Sequence, residues 1–224
     1  MSSRILLVEG NDDGHTISHL CAKHDIDFRS ATTLVEIEPK EGFEHLRRDL
    51  SDHLNLTSDL KNAAIVVDAN SSAHDRWTSL RDRLRELGFS NVPKILPSEG
   101  AIVQRADEIR PNTVGVWIMP DNSRSGMLED FLRELIPGDD TMLERAQSFV
   151  NGIPEEDRLF SPNHTTKAVM HGWLAVQENP GQRFGLSIKS NKLDAHAKIA
   201  QQFINWLRKT LFDDIPQTGT KEND

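Results

Sequence analysis

Cysteine is nearly absent from this chain of 224 residues, because Cys21 is the only one. An intrachain disulfide is therefore impossible, and nothing in the composition indicates secretion. Long apolar runs are missing too, since none approaches the roughly 20 residues that a membrane-spanning helix needs. The apolar stretch near the N-terminus is far too short for a signal peptide. We therefore expect a cytoplasmic protein that does not interact with a membrane.

Basic residues are fewer than acidic ones, 26 against 35, so the formal net charge is −9. This balance argues against broad electrostatic binding of nucleic acid, which usually requires a basic face. It does not exclude an acidic site that meets phosphate through bound cations. With 37% hydrophobic and 27% charged residues, the chain has an ordinary globular composition and can bury a core without disulfides.

Short apolar runs alternate with helical patterns in the first part of the chain. The three strongest runs have the character of buried strands and lie at residues 4–8, 63–67 and 114–119. Weaker strand signals are found at residues 28–38, 95–96 and 101–103. Apolar residues at helical spacing occupy residues 15–24, 43–56, 73–87 and 127–136. The alternation predicts an α/β fold with a mostly parallel open sheet flanked by helices.

The pattern becomes helical after Pro137-Gly138. Helices are predicted at residues 141–150, 165–177 and 195–211. We predict an α/β domain at 1–138, a helical extension packed on it at 139–213, and a disordered polar tail at 214–224. The helices of the extension could cover a site, form a homo-oligomer or complete the core, and the sequence leaves these alternatives open.

Acidic and amide residues follow the three strongest predicted strands. The first strand ends at Glu9, the second at Asp68 and Asn70, and the third is followed by Asp121. Because the carboxyl ends of parallel strands share one edge of a sheet, we expect these side chains to converge. Crowded carboxylates repel one another, and Mg²⁺, which prefers oxygen ligands, relieves that repulsion. Glu129, on the next predicted helix, is a further candidate ligand.

The alternative is that such residues serve only as turn formers and helix N-caps, as Asp12, Asp13 and Asn122 could. A zinc site is a weaker interpretation. His15 and His19 are four residues apart on a predicted helix, but the chain has neither an HExxH pattern nor a cysteine pair.

Three segments of the chain resemble the motifs of TOPRIM domains. LLVEGNDD at 6–13 resembles their first motif, a strand ending in Glu-Gly, and IVVDAN at 65–70 is similar to their second, a strand ending in Asp-x-Asp. IMPDNSRSGMLEDFL at 118–132 resembles a segment of prokaryotic TOPRIM-related proteins of unknown function and, more distantly, of overcoming-lysogenization-defect nucleases. The resemblance covers about residues 4–135, so we expect a TOPRIM-like fold.

The resemblance implies phosphoryl transfer that depends on Mg²⁺ or Mn²⁺, on a nucleic acid or nucleotide. It implies that Glu9 acts as the general acid or base or lies on the metal side of the site, and that Lys167, on a later helix, supports the site. The metal ligands that it implies are Asp68, Asn70, Asp121 and Glu129.

Asn70 departs from the family pattern, because a neutral amide stands where a second aspartate is expected. A site with two metal ions needs enough carboxylate to hold both. Two hypotheses follow. The first is a metal-dependent nuclease, and the second is a catalytically weakened protein that binds a nucleotide or a partner.

Overall fold

The computed structural model describes residues 3–56, 59–105 and 111–213. The strands are β1 (Arg4–Val8), β2 (Glu36–Pro39), β3 (Asn62–Asp68), β4 (Ala101–Gln104) and β5 (Thr113–Met119). The helices are α1 (Asn11–Ala22), α2 (Phe43–Leu56), α3 (Ala73–Glu86), α4 (Leu128–Arg133), α5 (Thr141–Asn151), α6 (Thr165–Ala175), α7 (Phe184–Lys189) and α8 (Lys198–Leu211), with short 3-10 turns at Glu155–Asp157 and Pro162–His164. The predicted tail at 214–224 lies outside the described residues.

The five strands form one sheet in the order β2-β1-β3-β5-β4. β1, β2, β3 and β5 run parallel, whereas β4 pairs antiparallel with β5 at the edge. β1 and β3 are neighbours, with Val8 opposite Val66, and Asp68 of β3 lies opposite Met119 of β5. The carboxyl ends of these three strands therefore meet at one edge, as the sequence predicted.

Helices cover both faces of the sheet, because alternate strand residues point to opposite sides. Leu6 and Ala64 belong to one hydrophobic cluster, and their chain neighbours Leu7 and Ile65 belong to the other. Residues of α1, α4, α5, α6, α7 and α8 pack in the first cluster, and residues of α2 and α3 pack in the second. The fold is thus a helix–sheet–helix sandwich.

The C-terminal helices share the core of the sheet. α8 contacts both β3 and β5, and the ring of Phe203 lies edge-on to Trp117, with 5.4 Å between ring centroids. Gly115 permits the close approach, since a Cβ there would lie 2.3 Å from Oγ1 of Thr210. Residues 139–213 therefore complete the core on one face of the sheet.

The predicted fold class is confirmed: the protein is α/β, with a mostly parallel sheet flanked by helices and helices at the C-terminus. This arrangement is consistent with a TOPRIM-like fold. Two strand predictions were wrong. Of the strand predicted at 28–38 only the last three residues form a strand, within β2 at Glu36–Pro39. Residues 95–96 form no strand, and Ile95 is 74% exposed rather than buried as a core strand residue would be. In the described part of the chain, no helix combines the length and apolarity that crossing a membrane requires.

Candidate active site

Glu9 follows β1 directly and joins three elements of the fold. Its Oε1 accepts a hydrogen bond of 2.8 Å from the backbone N–H of Asp68, at the end of β3. The carboxylate also accepts the N–H of Phe43, the first residue of α2. Burial raises the pKa of Glu9, although these two bonds and the charge of Arg76 oppose the increase. The carboxylate predicted as a general acid or base therefore also connects two strand ends with a helix start.

Asp68 lies where β3 faces the start of α4. Its Oδ1 accepts a hydrogen bond of 2.9 Å from the N–H of Leu128, the first residue of α4. Burial raises the pKa of Asp68 well above its ordinary value, and the negative charges of Asp13, Glu9 and Glu129 raise it further. Of the three carboxylates predicted to converge, Glu9 and Asp68 are thus close together, and Glu129, the further candidate, lies with them. Asp121, the third, makes its contacts within its own turn.

Asp13 also belongs to this acidic cluster, although the sequence suggested only a capping role. Its Oδ2 accepts the N–H of Gly10 at 2.8 Å, so it does cap the start of α1. Burial raises the pKa of Asp13 to about 6, with the charges of Glu9 and Glu129 adding to the effect. In the sequence, Asp13 stands out only as an aspartate that closely follows the Glu9-Gly10 pair. A capping role explained its position equally well.

Lys167 brings a positive charge to the cluster from α6. Its Nζ lies 2.9 Å from Oε1 of Glu129. The side chain of Glu129 is 7% exposed and that of Lys167 is 48% exposed, so the ion pair links a buried acid to an accessible amine. Burial opposes the charge of Lys167, but the bond to Glu129 and the charges of Asp68 and Asp13 raise its pKa. The lysine predicted to support the site lies beside it.

Asp121 is engaged within its own turn. Its Oδ1 accepts hydrogen bonds from the N–H and hydroxyl of Ser123 and from the N–H of Arg124, and its Oδ2 pairs with the guanidinium of Arg124. Burial acts against its charge, yet the bonds from Arg124 and Ser123 hold the pKa of Asp121 below its ordinary value. These contacts stabilise the turn, and they do not test the predicted role of Asp121 as a metal ligand.

Asn70 connects the end of β3 to the loop before α4. Its backbone N–H donates to the carbonyl of Gly126 at 2.7 Å, and Gly126 donates back to Asn70 at 2.8 Å. The φ angle of Asn70 is 51°, a left-handed conformation that asparagine adopts more readily than most residues. Backbone conformation therefore explains the amide at this position, while its predicted ligand role stays a prediction.

A cavity of about 530 Å³ opens beside the acidic cluster. Its lining comes from α1, α4, α6 and residues 181–186. The charged and polar residues that line it are Asp12, Asp13, His15, Thr16, His19, Glu129, Lys167, His171, Gln182 and Arg183, and the apolar ones include Leu128, Leu174, Phe184 and Leu186. Burial lowers the pKa of His19, and the charges of Lys189, His15 and Arg29 lower it further. Neither the cavity nor α7 was predicted from the sequence.

The chemistry of the donors fits a hard cation. Burial is the main cause of the raised pKa of Asp68, and the negative charge of Asp13 raises it further, a repulsion that a bound cation relieves. Within residues 3–56, 59–105 and 111–213, no three His, Cys, Asp or Glu side chains form a group that could hold a metal ion by themselves. Mg²⁺ does not require such a cage, since it is usually bound through one or two carboxylates together with water and substrate phosphate. The site thus suits Mg²⁺ that is shared with a phosphate ligand.

The comparison with known families gives one match. The family model described as "Protein of unknown function (DUF3226)" matches residues 3–212, from the start of β1 through α8. No curated protein and no solved structure matches the chain. The expected membership in a family of unknown function is thus confirmed, and the relationship to TOPRIM domains stays a prediction. The chain belongs to the DUF3226 family of proteins of unknown function.

Proposed function

We propose that the protein is a Mg²⁺-dependent nuclease, an enzyme that hydrolyses phosphodiester bonds. One observation carries the proposal: crowded carboxylates and an accessible lysine meet beside an open cavity. The charge of Asp13 adds to burial in raising the pKa of Asp68, and Lys167 pairs with Glu129 at the same place. Phosphoryl transfer relies on positioning and charge stabilisation, and this combination of charges can provide both.

Asp13 and Asp68 are the residues that would hold the cation. Bound Mg²⁺ supplies charge neutralisation at the phosphate and lowers the pKa of a coordinated water. Glu129 positions Lys167, whose side chain is half exposed, so that its ammonium can face a phosphate oxygen. Asn70 and Asp121 stay outside this proposed ligand set, because one fixes the loop before α4 and the other is engaged with Arg124.

Hydrolysis forms a bond between a water oxygen and phosphorus and breaks one P–O ester bond. The proton of the water passes to a basic group, and the leaving oxygen takes up a proton. Asp13 is one of the proposed cation ligands, and its pKa of about 6 belongs to the protein without a cation. Glu9, the residue implied by the family resemblance, is not in the ligand set and has a raised pKa, although it accepts two backbone N–H groups. Glu9 is therefore the candidate for proton transfer.

Binding without turnover is the second candidate function. It is favoured by Asn70, which contributes no charge where a second aspartate was expected, and by the hydrogen bonds that occupy Glu9. In this case the same cavity would hold a nucleotide and the protein would act through partners.

Hydrolysis of labelled single- and double-stranded DNA and RNA, with Mg²⁺ and with Mn²⁺, tests the proposal. We expect cleavage by the wild type and a loss of at least about 100-fold in Asp68→Asn, which removes a charge without changing the shape of the side chain. Asp52→Asn is the matched control, since Asp52 is exposed on α2. Intact substrates in every wild-type reaction, or equal cleavage by Asp68→Asn, would contradict the proposal.

A further inference from the structure

We propose that the cavity beside the acidic cluster binds a phosphate ester of about the size of one nucleotide. The ligand is either a free nucleotide or the terminal nucleotide of a single strand, and not the interior of a duplex. This inference rests on the proposed function, because the phosphate held in the cavity is the one that would react.

The size of the cavity carries the first step. Its volume of about 530 Å³ lies within the roughly 300–1,000 Å³ of pockets that enclose small ligands. The cavity lies among α1, α4, α6 and residues 181–186, and its volume suits one small ligand rather than a length of double helix. Binding along a duplex would also require a basic surface, whereas the net charge of the chain is −9.

The side chains of α6 that line the cavity provide the second argument for a nucleotide-like ligand. Lys167, His171 and Leu174 all line the cavity, and their spacing of four and three residues puts them on one helical face. The face begins at the ion pair between Lys167 and Glu129 and continues to His171, whose ring centroid lies 5.4 Å from that of Phe184. A ligand with a charged end and a flat, less polar end matches this sequence of side chains, and a nucleotide has both.

Arg183 adds a second positive side chain, besides Lys167, where the phosphate would bind. Arg183 lines the cavity just before α7, and its side chain is exposed. Arginine binds phosphate with two parallel hydrogen bonds. Lys167 and Arg183 thus provide two positive groups around one cavity in an otherwise acidic protein, which favours a small anion over a long polyanion.

Calorimetric titration with Mg²⁺ and four probes tests the inference. The probes are ADP, a short linear single strand of DNA, the same strand closed into a circle, and a closed duplex without ends. We expect ADP or the linear strand to bind and the two closed forms to bind at least about tenfold more weakly. Binding by ADP alone identifies a free nucleotide as the ligand, and binding by the linear strand identifies a terminus.

Two pairs of variants locate the binding. Leu186→Trp fills the cavity, whereas Leu159→Trp adds the same side chain at a fully exposed position. Arg183→Ala removes a lining cation, and Arg145→Ala removes an exposed one on α5 outside the lining. We expect Arg183→Ala to weaken binding by at least about tenfold, the loss that follows removal of one charge-assisted hydrogen bond. Leu186→Trp should weaken binding by at least as much, because the larger side chain takes up space that the ligand needs. The second member of each pair should bind as the wild type does.

The inference is overturned if neither ADP nor the linear strand binds, or if Leu186→Trp leaves their binding unchanged. Hydrolysis measured on the same samples separates this failure from that of the proposed function. If the wild type cuts closed strands and Asp68→Asn does not, the nuclease proposal is supported, but the cavity is not the site that binds the substrate. ADP binding that Leu186→Trp abolishes, without hydrolysis of any probe, would retain the binding site and contradict the nuclease.

Discussion

Single residues in this protein serve structure and charge at the same time. Asp13 caps α1 through Gly10 and adds a carboxylate to the acidic cluster, and Asp68 holds the first N–H of α4 while facing the same charges. A capping role and a functional role are thus not alternatives at these positions. Hydrogen bonds fix the carboxylates in place, and burial together with the neighbouring negative charges raises their pKa values.

The pKa of Asp13 makes a prediction about stability. Because its value of about 6 in the folded protein lies above the ordinary 3.8, the charged form of Asp13 costs folding free energy. This cost is absent below about pH 4, develops between about pH 4 and 6, and is complete above about pH 7. Asp13→Asn keeps an oxygen for Gly10 and removes the charge. We therefore expect the variant to exceed the wild type in stability at pH 8 by about 2 kcal/mol, and to match it near pH 4.

Denaturation by urea in metal-free buffer at pH 4 and pH 8 measures this difference. Asp52→Asn serves as the control and should show no such dependence on pH. If Asp13→Asn is less stable than the wild type at pH 8, or changes the free energy of unfolding equally at both pH values, the charge of Asp13 does not destabilise the folded protein.

Elements with strong periodicity could be predicted from the sequence, and elements that depend on distant contacts could not. β1 and α2 have the predicted bounds, because each has a clear apolar pattern of its own. α1 begins at Asn11, four residues earlier than predicted, because Asp13 and Gly10 form its start. α7 was missed, since its six residues carry little pattern and pack on α1. The walls of the cavity come from such contacts.

Close packing of α7 on α1 predicts a specific sensitivity at Gly185. A Cβ at this position would lie 2.5 Å from Cδ2 of His19. We expect Gly185→Ala to lower the free energy of unfolding by about 1–3 kcal/mol, as overpacking does, and to lose most of that effect in a His19→Ala background. Gly172→Ala on α6 is the control, because its Cβ would meet Ala146 at an ordinary 3.6 Å, and it should be neutral or slightly stabilising.

Thermal or urea denaturation of the four proteins in this cycle gives the coupling between positions 185 and 19. If Gly185→Ala lowers the free energy of unfolding equally in both backgrounds, α7 does not pack against His19 as the structure shows.

The molecule as a whole assembles the candidate site from segments that are distant in sequence. Glu9 and Asp13 come from the first β–α unit, Asp68 from β3, Glu129 from α4 and Lys167 from α6. The edge of the sheet could be predicted, because parallel strands align their carboxyl ends. The cavity could not, since it depends on how α1, α4, α6 and residues 181–186 pack together. Asp121 shows the limit of the strand-end argument: its own turn, with Ser123 and Arg124, engages the carboxylate.

Calorimetric titration of Mn²⁺ into the wild type, Asp68→Asn and Asp121→Asn tests the central claim that Asp13 and Asp68 form a cation site. The account predicts micromolar to low-millimolar binding by the wild type, tighter binding when ADP is present, loss in Asp68→Asn and retention in Asp121→Asn. Binding that survives Asp68→Asn, or that disappears in Asp121→Asn alone, would contradict the claim and place any metal site elsewhere.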